Sequence, residues 1–270
     1  MGDFLSQVKQ KLWERFKEIS VSPIDKNGYV LTPQDNLLSG INLDDFKEDF
    51  IRGSGNELES KFLAVHSSSA LVANTFARWY ETPSKLLLCG DCNFTDINFE
   101  KKCPTGLGGI PPNLDMLVKN ESMIIAVESK FLEHLTQKRP HFAKCYKRKN
   151  LPLCEDKWWT VLKDKRNGPK QHLDVAQLIK HYLGLRKQYH SQNCKKVLLY
   201  LFWEPVNWKE IDVFVNHRQE IKEFADKVEG TSIEFVSQSY LELWTEWEKQ
   251  LDSEYKEHLE HLRKRYVISV

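Results

Sequence analysis

The chain lacks any apolar run that could cross a bilayer. A spanning helix needs about 20 consecutive apolar residues, and the longest apolar stretches here are of strand length. The N-terminus also lacks the continuous apolar core of an export signal, so the expected location is the cytoplasm. Gly2 and Ser6 formally match a myristoylation pattern, but nothing else points to a membrane. Net charge is nearly absent too, at +1 from 39 Lys and Arg against 38 Asp and Glu. That balance excludes a polyanion-binding surface spread over the whole molecule; such a surface would have to be local. There is no internal repeat and no low-complexity tract, which excludes a solenoid. Cysteines are few and scattered, at 89, 92, 103, 145, 154 and 194, in a chain long enough not to need staples. Free thiols are expected. Cys89-Gly-Asp-Cys92, with Cys103 its only close companion, lacks the fourth ligand of a structural zinc site.

What remains is a globular composition, 41% hydrophobic and 29% charged over 270 residues, enough for a sizeable core. Phe4, Leu5, Val8, Leu12, Trp13, Phe16 and Ile19 recur at helical spacing over residues 1–20. Residues 21–55 read as an irregular N-terminal extension. Ser67 to Ser69 offer an N-cap to a helix bearing Leu71, Val72, Phe76 and Trp79. Strands are expected at Lys85–Leu88, Asn93–Phe99, Pro111–Val118 and Met123–Lys130, the last two joined as a hairpin through Lys119-Asn120-Glu121. Helices follow at Lys157–Lys163 and Leu173–Lys187, then a strand at Lys196–Trp203. A helix at Trp208–Val228, a strand at Ser232–Val236 and a mostly helical Ser239–Leu262 close the chain. This order predicts one α/β domain, residues 1–270, built on a central mixed β-sheet flanked by helices.

Asp115, Glu128 and Lys130 stand out. Met123-Ile124-Ile125-Ala126-Val127 is an apolar run of strand length that ends abruptly in Glu128-Ser129-Lys130. Burying an unpartnered charge is expensive. Two opposite charges two residues apart share one strand face and need a common reason to be there. Asp115 shares that face if the hairpin sets it opposite Glu128 or opposite Ala126; a slip of one residue sends it to the other side. Two carboxylates on one face need a cation between them, or one must hold a proton. Carboxylate oxygens suit Mg²⁺ or Mn²⁺. The competing reading is a surface salt bridge at a strand end.

The stretch from Gly109 to Asp115, followed by Ala126-Val127-Glu128-Ser129-Lys130-Phe131, resembles the PD-(D/E)XK nuclease superfamily, in a bacterial branch of restriction-endonuclease-like fold. Two further segments resemble that branch in the same order. One runs from Gly55-Asn56-Glu57-Leu58 through His66 to Phe76, the other from Leu173 to Leu185. The resemblance covers about residues 55–205, with 1–54 an N-terminal helical extension and 206–270 an α/β completion. It implies Asp115 and Glu128 as metal ligands, the backbone carbonyl of Ser129 as a third, and Lys130 as the catalytic lysine. The pattern departs from the superfamily where Asn113-Leu114 separate Pro112 from Asp115. Glu57 matches the glutamate that many members add from the first core helix, with Glu59 the alternative acid. Ser54-Gly-Asn-Glu57 also fits a capping box, in which the glutamate only closes a helix start. Gln177 resembles a glutamine that some nucleases place on the helix after the lysine, here assigned to nucleic-acid contact. His181, one turn along, points the same way; a packed or solvated histidine is its plainer reading.

Residues 138–170 carry eleven Lys and Arg against three acids, a local excess of eight, with Phe142, Tyr146, Trp158 and Trp159 interleaved. Lys147, Arg148 and Lys149 are the candidate contacts to a nucleic-acid backbone. The competing reading is a solvated insertion whose tryptophans pack into the core. The expectation is therefore a Mg²⁺- or Mn²⁺-dependent nuclease acting on DNA. The alternative is a non-catalytic nucleic-acid-binding module that has kept the fold; a partner-binding protein using the N-terminal helix and the Trp-rich C-terminal region is a third. A double-strand cutter would act as a homodimer.

Overall fold

The computed structural model describes residues 2–53 and 56–270. Five strands, β1 (Asp96–Lys102), β2 (Asn113–Lys119), β3 (Met123–Lys130), β4 (Lys195–Phe202) and β5 (Glu234–Ser239), lie side by side in that order. β1, β2 and β3 form an antiparallel meander, whereas β3, β4 and β5 are parallel. The sheet is thus mixed, as the order of helices and strands predicts. β3 is its centre, and all eight of its residues are buried. Branched apolar residues without alternation suit a strand covered on both faces. The β2–β3 turn forms where expected: Asn120 Oδ1 accepts the amides of Ser122 at 2.9 Å and Met123 at 2.8 Å, a side-chain turn typical of asparagine.

Eight α-helices occur among the described residues: α1 (Gly2–Ile19), α2 (Lys47–Arg52), α3 (Ser68–Phe76), α4 (Asp156–Lys165), α5 (Val175–Tyr189), α6 (Asp212–Val228), α7 (Tyr240–Gln250) and α8 (Lys256–Tyr266). They divide over two apolar cores. Met116, Val118, Ile125, Val127, Leu199 and Leu201 face α1, α2, α3, α7 and α8. Leu117, Ile124, Ala126, Leu198, Tyr200 and Phe202 face α4, α5 and α6. α3 is buried on every side, with Ser67 capping it by accepting the Ala70 amide at 3.2 Å. It fits between the sheet and the C-terminal helices, where Asn74 donates to the Tyr266 hydroxyl at 2.8 Å and Phe76 meets Trp247 edge-on. α5 can approach β1 closely only because residue 184 is glycine. A Cβ there would lie 2.3 Å from the Cys103 carbonyl oxygen.

Several boundaries differ from expectation. Lys85–Leu88 is not a strand: Lys85 ends a 3-10 turn started by Pro83, and Leu88 makes only an isolated bridge with Asp91. Proline favours that turn start, and the Leu87 carbonyl is taken by the Trp247 indole at 2.8 Å. The segment 21–55 is not wholly irregular, since it holds α2, whose six residues are too few to show a period. Phe46 and Phe50 there pack on Phe99 of β1, with ring centroids 5.3 and 5.7 Å away. The expected helix from Trp208 starts as a 3-10 turn and becomes α6 at Asp212; the C-terminal helix breaks at Leu251 into α7 and α8. Among the described residues no helix is long and apolar enough to cross a membrane.

Three histidines, His134, His217 and His258, are buried in these cores. Burial, aided by nearby cationic groups, lowers His134 to about 3 and His258 to about 4, and holds His217 well below its ordinary value. The unfolded chain takes these protons near 6.5, the folded chain only much lower. Their contribution to stability is therefore complete above pH 6.5 and is lost as pH falls toward 4. We expect each histidine to cost on the order of 1–2 kcal/mol by pH 5. Urea melts at pH 7.5, 6 and 5 measure this, and a flat profile would contradict it.

Candidate active site

The β2–β3 ladder ends at the pair Met116↔Val127. Continuing that register by one step brings Asp115 opposite Glu128, one of the two arrangements that set both carboxylates on a common face. The strands part there, and Asp115 Oδ2 instead accepts the Ser129 amide at 2.6 Å. The Ser129 hydroxyl shares a hydrogen bond of 2.7 Å with the Tyr240 hydroxyl. Glu128 is fully buried and Lys130 nearly so, and the two form an ion pair through Glu128 Oε1. This is an interior pair on the central strand, not a salt bridge at a surface strand end.

α5 supplies the partners. Asp174 caps its N-terminus by accepting the Gln177 amide at 3.1 Å. Residues four apart then face β3 together. Gln177 Oε1 accepts from Lys130 Nζ at 3.0 Å, and His181 Nε2 lies 2.6 Å from Glu128 Oε2. His181 is fully buried, so it is packed rather than solvated, and Glu128 gives its ring a specific partner.

A further carboxylate, Glu100, gave no signal in the sequence. Between the β1–β2 pairs Phe99↔Met116 and Lys101↔Leu114 stand Glu100 and Asp115. Glu100 has a positive φ of 47°, uncommon for a residue with a side chain. The Phe99 amide beside it donates to Asp49 Oδ2 at 2.9 Å. Asn113 donates to Glu100 Oε2 at 2.9 Å. Gly53, at the end of α2, makes room: a Cβ there would lie 2.6 Å from the Glu100 Cβ. An acid within a charged stretch, Glu100-Lys101-Lys102, reads as strand-edge solvation; only the kinked backbone turns it inward.

Glu57 corrects one expectation. It stands in a turn before a 3-10 segment at Lys61–Leu63, not on a helix. The proposed cap, Ser54, lies outside the described residues. Glu57 is buried, accepts from the Ser69 hydroxyl at 2.7 Å and pairs with Lys61 at 3.5 Å. Glu59, the alternative acid, is exposed.

The electrostatics divide these acids. Burial, then the charges of Glu128 and Glu100, raises Asp115 well above the carboxylate range. Burial also opposes charge on Glu128, but Lys130 and His181 outweigh it and hold the carboxyl at about 2. Burial works against the Lys130 ammonium as well, yet Glu128 and Asp115 keep it raised. Glu100 is pushed up to about 7 by burial and by Glu57 and Glu128, against the Asn113 hydrogen bond. Among the described residues no three His, Cys, Asp or Glu side chains form a ready-made metal cage. The fit to a cation is one of charge: crowded, largely buried carboxylates, two of them held from ionising, are what a divalent ion relieves.

The basic segment leaves the site and returns to it. Lys138 and Gln171 exchange backbone hydrogen bonds of 2.8 and 3.0 Å, closing the excursion at a neck beside the α5 N-terminus. Lys138 Nζ lies 3.6 Å from Asp174 there. Lys147, Arg148 and Lys149 are exposed. Arg148 is partly committed, to Asp156 at 2.8 Å and to the Cys154 carbonyl. Of the interleaved aromatics, Trp159 is half-buried, and the other three are closed to bases. Phe142, Tyr146 and Trp158 are buried, with Trp158 stacked on Tyr182 at 4.0 Å.

A family model described as "Restriction Endonuclease associating with ARP" matches residues 7–267. The chain belongs to that family. The match takes in most of α1 and all of α8 as well as the carboxylate cluster, and the mixed sheet flanked by helices is a restriction-endonuclease-like core. No curated protein and no solved structure matches the chain.

Glu100 supplies a direct test of this electrostatic picture. Its folded value near 7 stands above the ordinary 4.5. Its contribution to stability is therefore favourable at low pH and is lost as pH rises through 7. Glu100→Gln keeps an acceptor for Asn113 and removes the charge. In EDTA the variant should be more stable than the parent at pH 8.5, by roughly 1–3 kcal/mol, and similar to it at pH 5. Equal denaturation midpoints at pH 8.5 would show that Glu100 is not held against ionisation.

Proposed function

We propose that this chain is a divalent-metal-dependent nuclease of PD-(D/E)XK type that hydrolyses DNA phosphodiester bonds. The observation that carries the reading is the assembly of half-buried Asp115 with buried Glu128 and Lys130 where β2 and β3 part. A structural core gains little from buried ion pairs, which are often no better than apolar replacements. Acids and a lysine held in a dry site with opposed pKa shifts are what phosphoryl chemistry uses.

Asp115 and Glu128, with the Ser129 carbonyl, would hold Mg²⁺ or Mn²⁺. Glu57 would contribute from its turn. When bound, such an ion polarises a scissile phosphate and lowers the pKa of an attached water. The remaining roles belong to the chain. Lys130 orients the attacking water and offsets charge developing on the phosphoryl oxygens. Gln177 fixes the lysine ammonium through its carbonyl oxygen, and its amide nitrogen would meet nucleic acid. Ser129 restrains Asp115 through its amide and is itself restrained by Tyr240. Lys147, Arg148 and Lys149, carried on the excursion that starts and ends beside the α5 N-terminus, would grip the substrate backbone.

Cleavage of supercoiled plasmid and single-stranded DNA with Mg²⁺, Mn²⁺ or EDTA tests the reading. We expect metal-dependent nicking by the parent, and loss of at least about 100-fold in Glu128→Ala and Lys130→Ala. Retained activity in Lys130→Ala would sink the mechanism. DNA binding without cleavage under any divalent ion would turn the reading to a non-catalytic binding module. Neutralising Lys147, Arg148 and Lys149 together should weaken DNA binding and lower the salt slope by about 2–3. An unchanged slope would remove that segment from the substrate path.

A further inference from the structure

The two oxygens of Glu128 are held in different ways. Oε1 meets the Lys130 ammonium, on a long flexible stem that also reaches Gln177. Oε2 meets His181 Nε2 at 2.6 Å, from a ring fixed on α5. Both Glu128 and His181 are fully buried. Among the described residues His181 Nδ1 has no hydrogen-bond partner, so the ring's one polar contact there is to the carboxylate. A ring with its hydrogen on Nε2 donates there and leaves only a lone pair at Nδ1. α5 itself is firmly seated: Asp174 caps it, Tyr182 stacks on Trp158, and Gly184 lies against Cys103. His181 therefore cannot follow Glu128 if that side chain turns, whereas Lys130 can.

We propose that His181 is a positioning residue for Glu128, holding Oε2 so that a divalent cation in the carboxylate cluster engages Glu128 through Oε1. This rests on the nuclease reading above. A ligating carboxylate that is itself hydrogen-bonded from behind keeps its orientation, and loss of such a partner commonly weakens metal affinity by about 10–100-fold. The Lys130 ammonium and the cation would share one oxygen's surroundings, and Gln177 offers the ammonium a second acceptor. The competing reading is that His181 only neutralises buried charge. That role would affect folding stability and leave cation affinity of the folded protein unchanged.

The test uses the intact chain and Mn²⁺ alone, titrated by calorimetry without substrate, with melting in EDTA alongside. His181→Leu removes the donor. His181→Gln places an amide nitrogen near the Nε2 position, and His181→Asn carries an amide too short to reach Oε2. We expect Mn²⁺ affinity to fall about 10–100-fold in the Leu and Asn variants and to stay within about threefold of the parent in the Gln variant. Should His181→Leu fail to fold, the contrast between Asn and Gln carries the same comparison. Parent-like Mn²⁺ affinity in the Leu or Asn variant would overturn the role of His181 and leave the nuclease reading standing. A parent chain that binds no Mn²⁺ and cuts no DNA would overturn both.

Discussion

The fold is organised around charge buried on its central strand. Five apolar residues of β3 anchor it between β2 and β4, and the same strand then carries Glu128 and Lys130 into the interior. Neither charge is tolerable there alone. Lys130 answers Glu128, and α5 answers both through Gln177 and His181. The position of α5 follows from this requirement as much as from its apolar face. Asp174 sets where the helix begins, and Gly184 lets it lie close enough for its inner residues to reach the strand.

Much of this was legible in the sequence. Periodicity found β2, β3, β4, α1, α4 and α5 to within a few residues, because each has one long apolar face or run. The abrupt change from apolar to charged at Glu128 marked the site, since a strand so apolar is covered on both sides. Asp115 was legible as a partner because only a few hairpin registers are compatible with a short turn. Glu100 was not, because its inward turn depends on a positive φ made possible by Asp49 and Gly53, residues about fifty positions away. Glu57 was singled out, but its setting was read as helical, because a turn followed by a 3-10 segment has no period to reveal it. His181 and Gln177 were visible as neighbours on one helix face. Their separate partners required the parallel placement of β4 and the register of α5 over β3.

The basic excursion shows how composition and position part company. Its charge excess was plain from the sequence, and its aromatics looked equally available. Packing separates the two: Trp158, Phe142 and Tyr146 complete the core beneath α5, while Lys147 and Lys149 remain outside. Arg148 and Arg166 serve both ends, holding backbone carbonyls of the loop while lying over Trp159 and Phe142. Aromatic residues within a basic stretch thus anchor the loop and leave the cations displayed.

The kink at Glu100 has an effect on the sheet as a whole. β1 is an edge strand, and an even row of unpaired amides and carbonyls along such an edge invites another chain to add to it. At Glu100 the row is broken by a backbone turned the wrong way for pairing, and the neighbouring Phe99 amide is already occupied by Asp49. α2 lies across the same stretch, with Phe50 stacked on Phe99. The distortion that turns a carboxylate inward therefore also makes this edge a poor template for aggregation, so that one local irregularity protects the protein from its own copies.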